Sequence, residues 1–170
     1  MKILVVDDDR MTVTLLQQLL QRHGYSRVVG ITDSREALQI CESLEPDLIL
    51  LDLIMPNLDG FAVLEALRSD ASERFLPIVV LTADITEEAK ARALDAGATD
   101  FLVKPVSQTE ALLRIRNLLE TRRLNVVLRN QRSALEEAVR ERTTELRGTV
   151  AELQAVNQQL QGSSALAAPN

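Results

Sequence analysis

Aromatic side chains are nearly missing from this chain: three Phe, one Tyr and no Trp make up 2% of its 170 residues. Any core must therefore be aliphatic. There is one cysteine, Cys41, which excludes an internal disulfide and fits a reducing, cytoplasmic setting. Cys41 falls in an apparent helix, where a buried structural thiol is expected. The single histidine, His23, precedes Gly24 at a helix end, where an imidazole favours the negative pole of the helix dipole. With no second histidine, a histidine-based metal site is disfavoured, and no Ser–His or Cys–His pair supports acyl transfer. Neither Gly-rich phosphate loop occurs: G-x-x-x-x-G-K-[ST] and G-x-G-x-x-G are both absent. No apolar run approaches the roughly 20 residues of a membrane span. Met1-Lys2-Ile3-Leu4-Val5-Val6 enters a strand at once, so no signal peptide is expected. The formal net charge of −6 argues against direct nucleic-acid binding by the bulk of the chain. Residues 1–106 hold 10 Lys/Arg against 18 Asp/Glu, a net of −8, and residues 107–170 hold 9 against 7, a net of +2.

What is present is an aliphatic, charged chain, 46% hydrophobic and 26% charged, long enough for one domain or one domain with an appendage. Its centre is Leu48-Ile49-Leu50-Leu51-Asp52-Leu53-Ile54-Met55-Pro56-Asn57-Leu58-Asp59-Gly60. A short continuous apolar run reads as a strand buried on both faces. Taken alone, Asp52 could equally start a turn.

The rest of the chain repeats the pattern. Lys2 to Val6 reads as a first strand ending at Asp7-Asp8-Asp9. A helix from Met11 to His23 places Met11, Leu15, Leu16, Leu19 and Leu20 on helical spacing, and Gly24 closes it. Asp9 is expected to cap it. Arg27 to Ile31 is a second strand. Asp33 or Ser34 caps a helix to about Leu44, with Ala37, Leu38 and Cys41 inward. Asp59-Gly60 opens a third helix carrying Phe61, Val63, Leu64 and Leu67. Ile78 to Leu81 is a fourth strand ending at Thr82. Thr86-Glu87-Glu88 starts a fourth helix and Gly97 stops it. Asp100 to Val103 is a fifth strand, closed by Lys104-Pro105. Ser107 and Glu110 form an S-x-x-E capping box for the last helix.

Alternating strands and helices imply parallel strands with right-handed crossovers. The expected fold is α/β: a flavodoxin-like (βα)5 doubly wound parallel sheet of order 2-1-3-4-5, with a long C-terminal helix. In that order the switch point lies between the first and third strands, at their carboxyl ends. Asp7, Asp8 and Asp52 end those strands, and Thr82 and Lys104 end the fourth and fifth. Three neighbouring carboxylates require a compensating cation. Oxygen ligands without His or Cys favour Mg²⁺ or Mn²⁺ over zinc. A divalent ion, a lysine and a hydroxyl around one Asp would stabilise a phosphoryl group during and after transfer, and aspartate is a known phosphoryl acceptor.

These pieces together resemble the receiver domain of bacterial two-component response regulators, over residues 1–118. The resemblance rests on Val5-Val6-Asp7-Asp8, Asp52-x-x-Met55-Pro56 with Asp59-Gly60, Leu81-Thr82-Ala83, Ala96-Gly97-Ala98 and Lys104-Pro105, in that order. It implies Asp52 as phosphoacceptor. It implies Asp8 as a direct Mg²⁺ ligand, Asp7 nearby or through water, and the backbone carbonyl of Ile54 as a further ligand. Thr82 and Lys104 would bind phosphoryl oxygens, the peptide before Pro105 would be cis, and Phe101 would be the switch aromatic moving with Thr82. Asp84 and Ile54 hold positions that tune dephosphorylation in the family. The implied partner is a sensor histidine kinase or phosphotransfer protein.

Beyond Glu110 the helical pattern continues, with no Gly until Gly148 and no Pro until Pro169. Heptad a positions are Asn125, Arg132, Val139, Leu146, Leu153 and Leu160; d positions are Leu128, Leu135, Arg142, Thr149 and Val156. This mostly apolar seam argues for a coiled coil, weakened by its polar members and by Gly148, which costs about 1 kcal/mol relative to Ala. The expected division is a receiver over 1–118, a helical coiled-coil segment for parallel homodimerisation over 119–161, and a flexible tail over 162–170. A helix that folds back or frays is the alternative. Leu135 to Leu146 resembles the signalling helix that joins receivers to HD-GYP, GGDEF or histidine kinase output domains. None of these is recognised in the sequence, and the expectation is a fragment or a regulator whose output is dimerisation alone.

Three functions therefore stand open. One is a phosphorylation-switched module that is no free-standing enzyme beyond its own phosphorylation and hydrolysis. Another is a haloacid-dehalogenase-type Mg²⁺ phosphatase using Asp7-x-Asp9, although Met11 stands where that family has Thr. The third is a structural dimerisation module with a receiver that takes no phosphate.

Overall fold

The computed structural model describes residues 1–56, 59–70, 75–84 and 86–166. Asn57 and Leu58 of the central stretch, and residues 167–170 of the expected tail, lie outside them.

Five strands, β1 (Lys2–Val6), β2 (Arg27–Ile31), β3 (Leu48–Asp52), β4 (Ile78–Thr82) and β5 (Asp100–Val103), form one parallel sheet of order β2-β1-β3-β4-β5. Between them run α1 (Arg10–Arg22), a 3-10 turn (Ser34–Glu36) leading into α2 (Ala37–Leu44), α3 (Gly60–Asp70) and α4 (Glu87–Asp95), and α5 (Gln108–Leu166) follows β5. The expected fold and strand order are both present.

The apolar runs are continuous because the sheet is covered twice. Side chains alternate across a strand, so Ile3, Val5, Leu48, Leu50, Val79 and Leu81 face α1 and the start of α5, through Val13, Leu16, Leu20, Ala111, Ile115 and Leu119. Leu4, Val6, Ile49, Leu51, Ile78 and Val80 face α2, α3 and α4, through Ala37, Val63, Leu64, Leu67 and Ala93. Fully burying one such aliphatic side chain contributes about 1.5–3 kcal/mol.

Two helix faces differ from expectation. On α1 the inward residues are Val13, Leu16, Leu19 and Leu20, while Met11 and Leu15 are 71% and 58% exposed. On α2, Ala37 is buried but Leu38 is exposed, and Ile40 packs against the core instead, with half-buried Cys41 beside it. Helix starts agree better. The Asp9 side chain accepts from the Met11 and Thr12 amides, and the Asp33 side chain accepts from the Arg35 amide at the 3-10 turn. At the start of α5 only half of the capping box is made: the Glu110 amide lies 3.5 Å from Ser107 Oγ, while the Glu110 carboxylate pairs with Arg114.

The chain forms two compact units, residues 1–125 and 126–170. In the second, helix continues past Gly162 to Leu166, and Leu128, Leu135, Val139, Leu146, Val150, Leu153, Val156 and Leu160 are all exposed.

Candidate phosphoryl-transfer site

The carboxyl ends of β1 and β3 are adjacent because Val6 pairs with Leu51. The residues at and just past those ends come together there: Asp7, Asp8 and Asp52 offer carboxylate oxygens all within 4.8 Å of one another. Asp7 is fully buried and Asp52 nearly so, while Asp8 is exposed. Each buried carboxylate is oriented by a nearby amide: Asp9 N donates to Asp7 Oδ1 at 2.9 Å, and Ile54 N donates to Asp52 Oδ1 at 3.1 Å. The β3–α3 passage needs Gly60, since a Cβ there would sit 2.3 Å from the Asp52 carbonyl oxygen.

Lys104 reaches the group from just past the end of β5, and the Lys104–Pro105 peptide bond is cis, as the resemblance implied. Its Nζ lies 2.8 Å from both Asp52 Oδ2 and Asp7 Oδ2. Only the Asp52 contact has hydrogen-bond geometry, so Asp7 Oδ2 is buried without a hydrogen-bond donor among the described residues. Burial pushes the Asp7 carboxyl above its usual range, against the pull of Lys104 and the Asp9 amide. On Lys104, burial is the largest single influence and acts downward. The close ion pairs with Asp52 and Asp7 together outweigh it and leave the ammonium above its ordinary value.

One lysine, paired with Asp7 and Asp52, thus stands against three carboxylates, which leaves the group with an excess of negative charge. An all-oxygen donor set of this kind fits Mg²⁺ or Mn²⁺. Asp9 does not join it: its carboxylate is occupied by the Met11 and Thr12 amides and the Thr12 hydroxyl.

Thr82 ends β4 beside this group. It is nearly buried, and its Oγ1 accepts from Asp84 N at 3.0 Å and lies 3.4 Å from the Asp84 carbonyl oxygen. Phe101 lies in β5, partly buried against the core on the α2–α4 side. Lys90 Nζ of α4 stands 5.3 Å and Arg114 Cζ of α5 5.7 Å from its ring centroid. These two cations, and the bond between Thr82 and Asp84, are the features sequence reasoning missed. Only Asp84 left a trace in sequence, as an acid two residues after a strand-end threonine and two before a helix cap.

Comparison with known proteins agrees with this geometry. The family profile of the response regulator receiver domain matches residues 3–116. The alkaline phosphatase synthesis transcriptional regulatory protein PhoP of Bacillus subtilis (strain 168) is 44% identical over 118 residues, 69% of this chain and 48% of that protein. Response regulator MprA of Mycolicibacterium vanbaalenii is 47% identical over 118 residues, 69% of this chain and 50% of that one. The chain spans about half the length of these curated relatives. Among solved structures, the receiver domain of the Francisella response regulator 1452 is similar at 31% identity and a TM-score of 0.66, over 71% of this chain and 97% of that one. The chemotaxis response regulator CheY4 of Vibrio cholerae is similar at 33% identity and a TM-score of 0.64, over 69% and 97%.

Proposed function

The chain belongs to the response regulator receiver family, and from that membership we infer that Asp52 accepts a phosphoryl group from a sensor histidine kinase or a phosphotransfer protein. The observation that carries this reading is the meeting of buried Asp52 with Asp7, Asp8 and Lys104 at one sheet edge. A carboxylate oxygen of Asp52 attacks phosphorus; the O–P bond forms as the donor's N–P bond breaks, and its electron pair leaves with the imidazole, which takes a proton from water. Lys104, already 2.8 Å from Asp52, then has only a short path to a phosphoryl oxygen. The Thr82 hydroxyl supplies a neutral donor beside it. Asp7, Asp8, Asp52 and the Ile54 carbonyl are the residues that would hold the metal. A divalent ion bound there offsets the negative charge gathered during transfer.

In this reading Thr82 and Phe101 are the switch, and phosphate shifts a pre-existing equilibrium of the face made by α4, β5 and α5. The exposed apolar residues of α5 pair with a second copy in a parallel coiled coil. The protein works in the cytoplasm, has no catalytic activity beyond its own phosphorylation and hydrolysis, and passes its signal to an output domain of HD-GYP, GGDEF or kinase type. PhoP is named for transcriptional regulation, so an output of that kind stands beside these.

The test is intact-mass spectrometry after incubation with acetyl phosphate and Mg²⁺. Wild-type protein should gain one phosphoryl mass, lost with EDTA and in Asp52→Asn. Undiminished incorporation in Asp52→Asn would place the acceptor elsewhere. Steady hydrolysis of phosphate esters that needs Asp7 but not Asp52 would instead support the phosphatase reading.

A further inference from the structure

Thr82 is not idle in this structure. Its Oγ1 accepts the Asp84 amide at 3.0 Å. The Asp84 carboxylate in turn accepts the Thr86 amide, Oδ1 to N at 2.9 Å. Thr86 is the N-cap of α4, and its Oγ1 accepts the Ala89 amide at 3.3 Å. Three side-chain acceptors thus hold three backbone amides in series, from the strand-end hydroxyl to the first turn of α4. Each link spans two or three residues, and Asp84 and Thr86 each take part in two of them, one through the backbone amide and one through the side chain. The bond from the Thr86 amide holds the Asp84 carboxyl below the usual carboxylate range, as expected of an acceptor whose charged form is bonded.

We propose that Asp84 is a positioning residue that couples the Thr82 hydroxyl to the N-terminal cap of α4. The proposal rests on the phosphoacceptor reading above, because the hydroxyl is drawn away by a phosphoryl group on Asp52. The hydroxyl has one proton, and its acceptor within reach is the Asp84 carbonyl oxygen at 3.4 Å, a poor distance for an O–H donor. A charged phosphoryl oxygen is the stronger acceptor. When Thr82 turns toward it, the Asp84 amide loses its partner, Asp84 is freed to reorient, and the Thr86 amide and the α4 cap loosen in order. Loss of a side-chain cap is enough to move a helix-end equilibrium several-fold. The role needs an acceptor at position 84, not a charge. That separates it from any effect of the Asp84 charge on the phosphoryl group itself.

The experiment is amide hydrogen exchange on the full chain with Mg²⁺, with and without beryllium fluoride, reading Asp84, Thr86 and Ala89. In wild type, beryllium fluoride should speed exchange at these amides about fivefold, the weight of one net hydrogen bond. Asp84→Ala should exchange fast at Thr86 and Ala89 already and respond little, whereas Asp84→Asn, which keeps the acceptor, should behave as wild type. Two results overturn the coupling: Asp84→Ala that keeps the wild-type response, or Asp84→Asn that matches Asp84→Ala. Acetyl phosphate incorporation in the same samples separates the two levels. Wild type that takes phosphate without any amide response defeats the coupling alone, and wild type that takes none defeats both.

Discussion

At the scale of single residues, Asp7 is the most informative position. It is fully buried, its Oδ2 has no hydrogen-bond donor among the described residues, and burial raises its pKa. A carboxyl raised in the folded state costs stability only once pH exceeds its unfolded value, near 3.8. In metal-free buffer, Asp7→Asn should therefore melt higher than wild type at pH 7, and its advantage should shrink as pH falls toward that value. A gain of 1 kcal/mol would appear as a rise of about 2–4 °C in Tm. Mg²⁺ should reverse the order, stabilising wild type by about 2.7 kcal/mol at a hundred times its Kd and the variant far less. Melting curves in EDTA and in Mg²⁺ check both. The five polar residues of the site were legible in sequence because each ends an aliphatic run, at a sheet edge set by strand order. Which of the two acids after β1 is buried was not legible: Asp7 is enclosed and Asp8 exposed, a difference set by which residue the pleat turns toward the interior.

Strands proved easier to read than helix faces. A strand covered on both sides needs no choice of face, so continuous apolar runs located all five. Helix α1 carries adjacent leucines, Leu15-Leu16 and Leu19-Leu20, and counting spacing does not say which of the first pair meets the sheet. Val13 decides it, falling on the same stripe as Leu16 and Leu20. Long-range ties between elements left no pattern at all. Arg68 of α3 donates to the Gly97 carbonyl at 2.6 Å, the Leu76 carbonyl at 2.8 Å and Thr99 Oγ1 at 3.0 Å, and Thr99 Oγ1 also accepts from Ile78 N. The turn it grips has Gly97 at φ +102°, where a Cβ would meet the Arg68 side chain at 2.7 Å. One half-buried guanidinium therefore joins α3 to the α4–β5 turn. Arg68→Ala should cost about 2–4 kcal/mol, since hydrogen bonds to charged groups contribute about 1.5–3 kcal/mol. Arg68→Lys should restore little, because an ammonium lacks the planar fork that serves three acceptors. Urea unfolding of the three proteins measures both.

At the scale of the whole molecule, self-association is expected through the exposed stripe on residues 126–162. Its apolar residues recur at heptad spacing and are exposed along the helix, Leu146 54%, Leu153 64% and Leu160 65%, and two seam arginines are paired on their own helix, Arg132 with Glu136 and Arg142 with Glu145. Light scattering should give a dimer mass for wild type. Leu146→Arg with Leu153→Arg should give a monomer, each lost leucine contact removing about 1.5–3 kcal/mol, while Mg²⁺ binding by the receiver is retained. A wild-type monomer, with and without beryllium fluoride, would count against the coiled coil. The composition made a long helix legible, but its partner was not, because an apolar stripe specifies that something covers it without specifying what.

Within residues 126–162 the exposed stripe of α5 repeats every seven residues, from Val139 to Leu146, Leu153 and Leu160. Each residue of a helix turns its direction by about 100°, so seven residues bring a side chain back to within about 20° of its starting bearing. Inserting one residue between Leu146 and Leu153 would swing Leu153 and Leu160 more than a quarter turn away from Val139 and Leu146, whatever that residue was. Chain length inside the stripe thus acts as a phase, to which the identity of the intervening residues is almost immaterial.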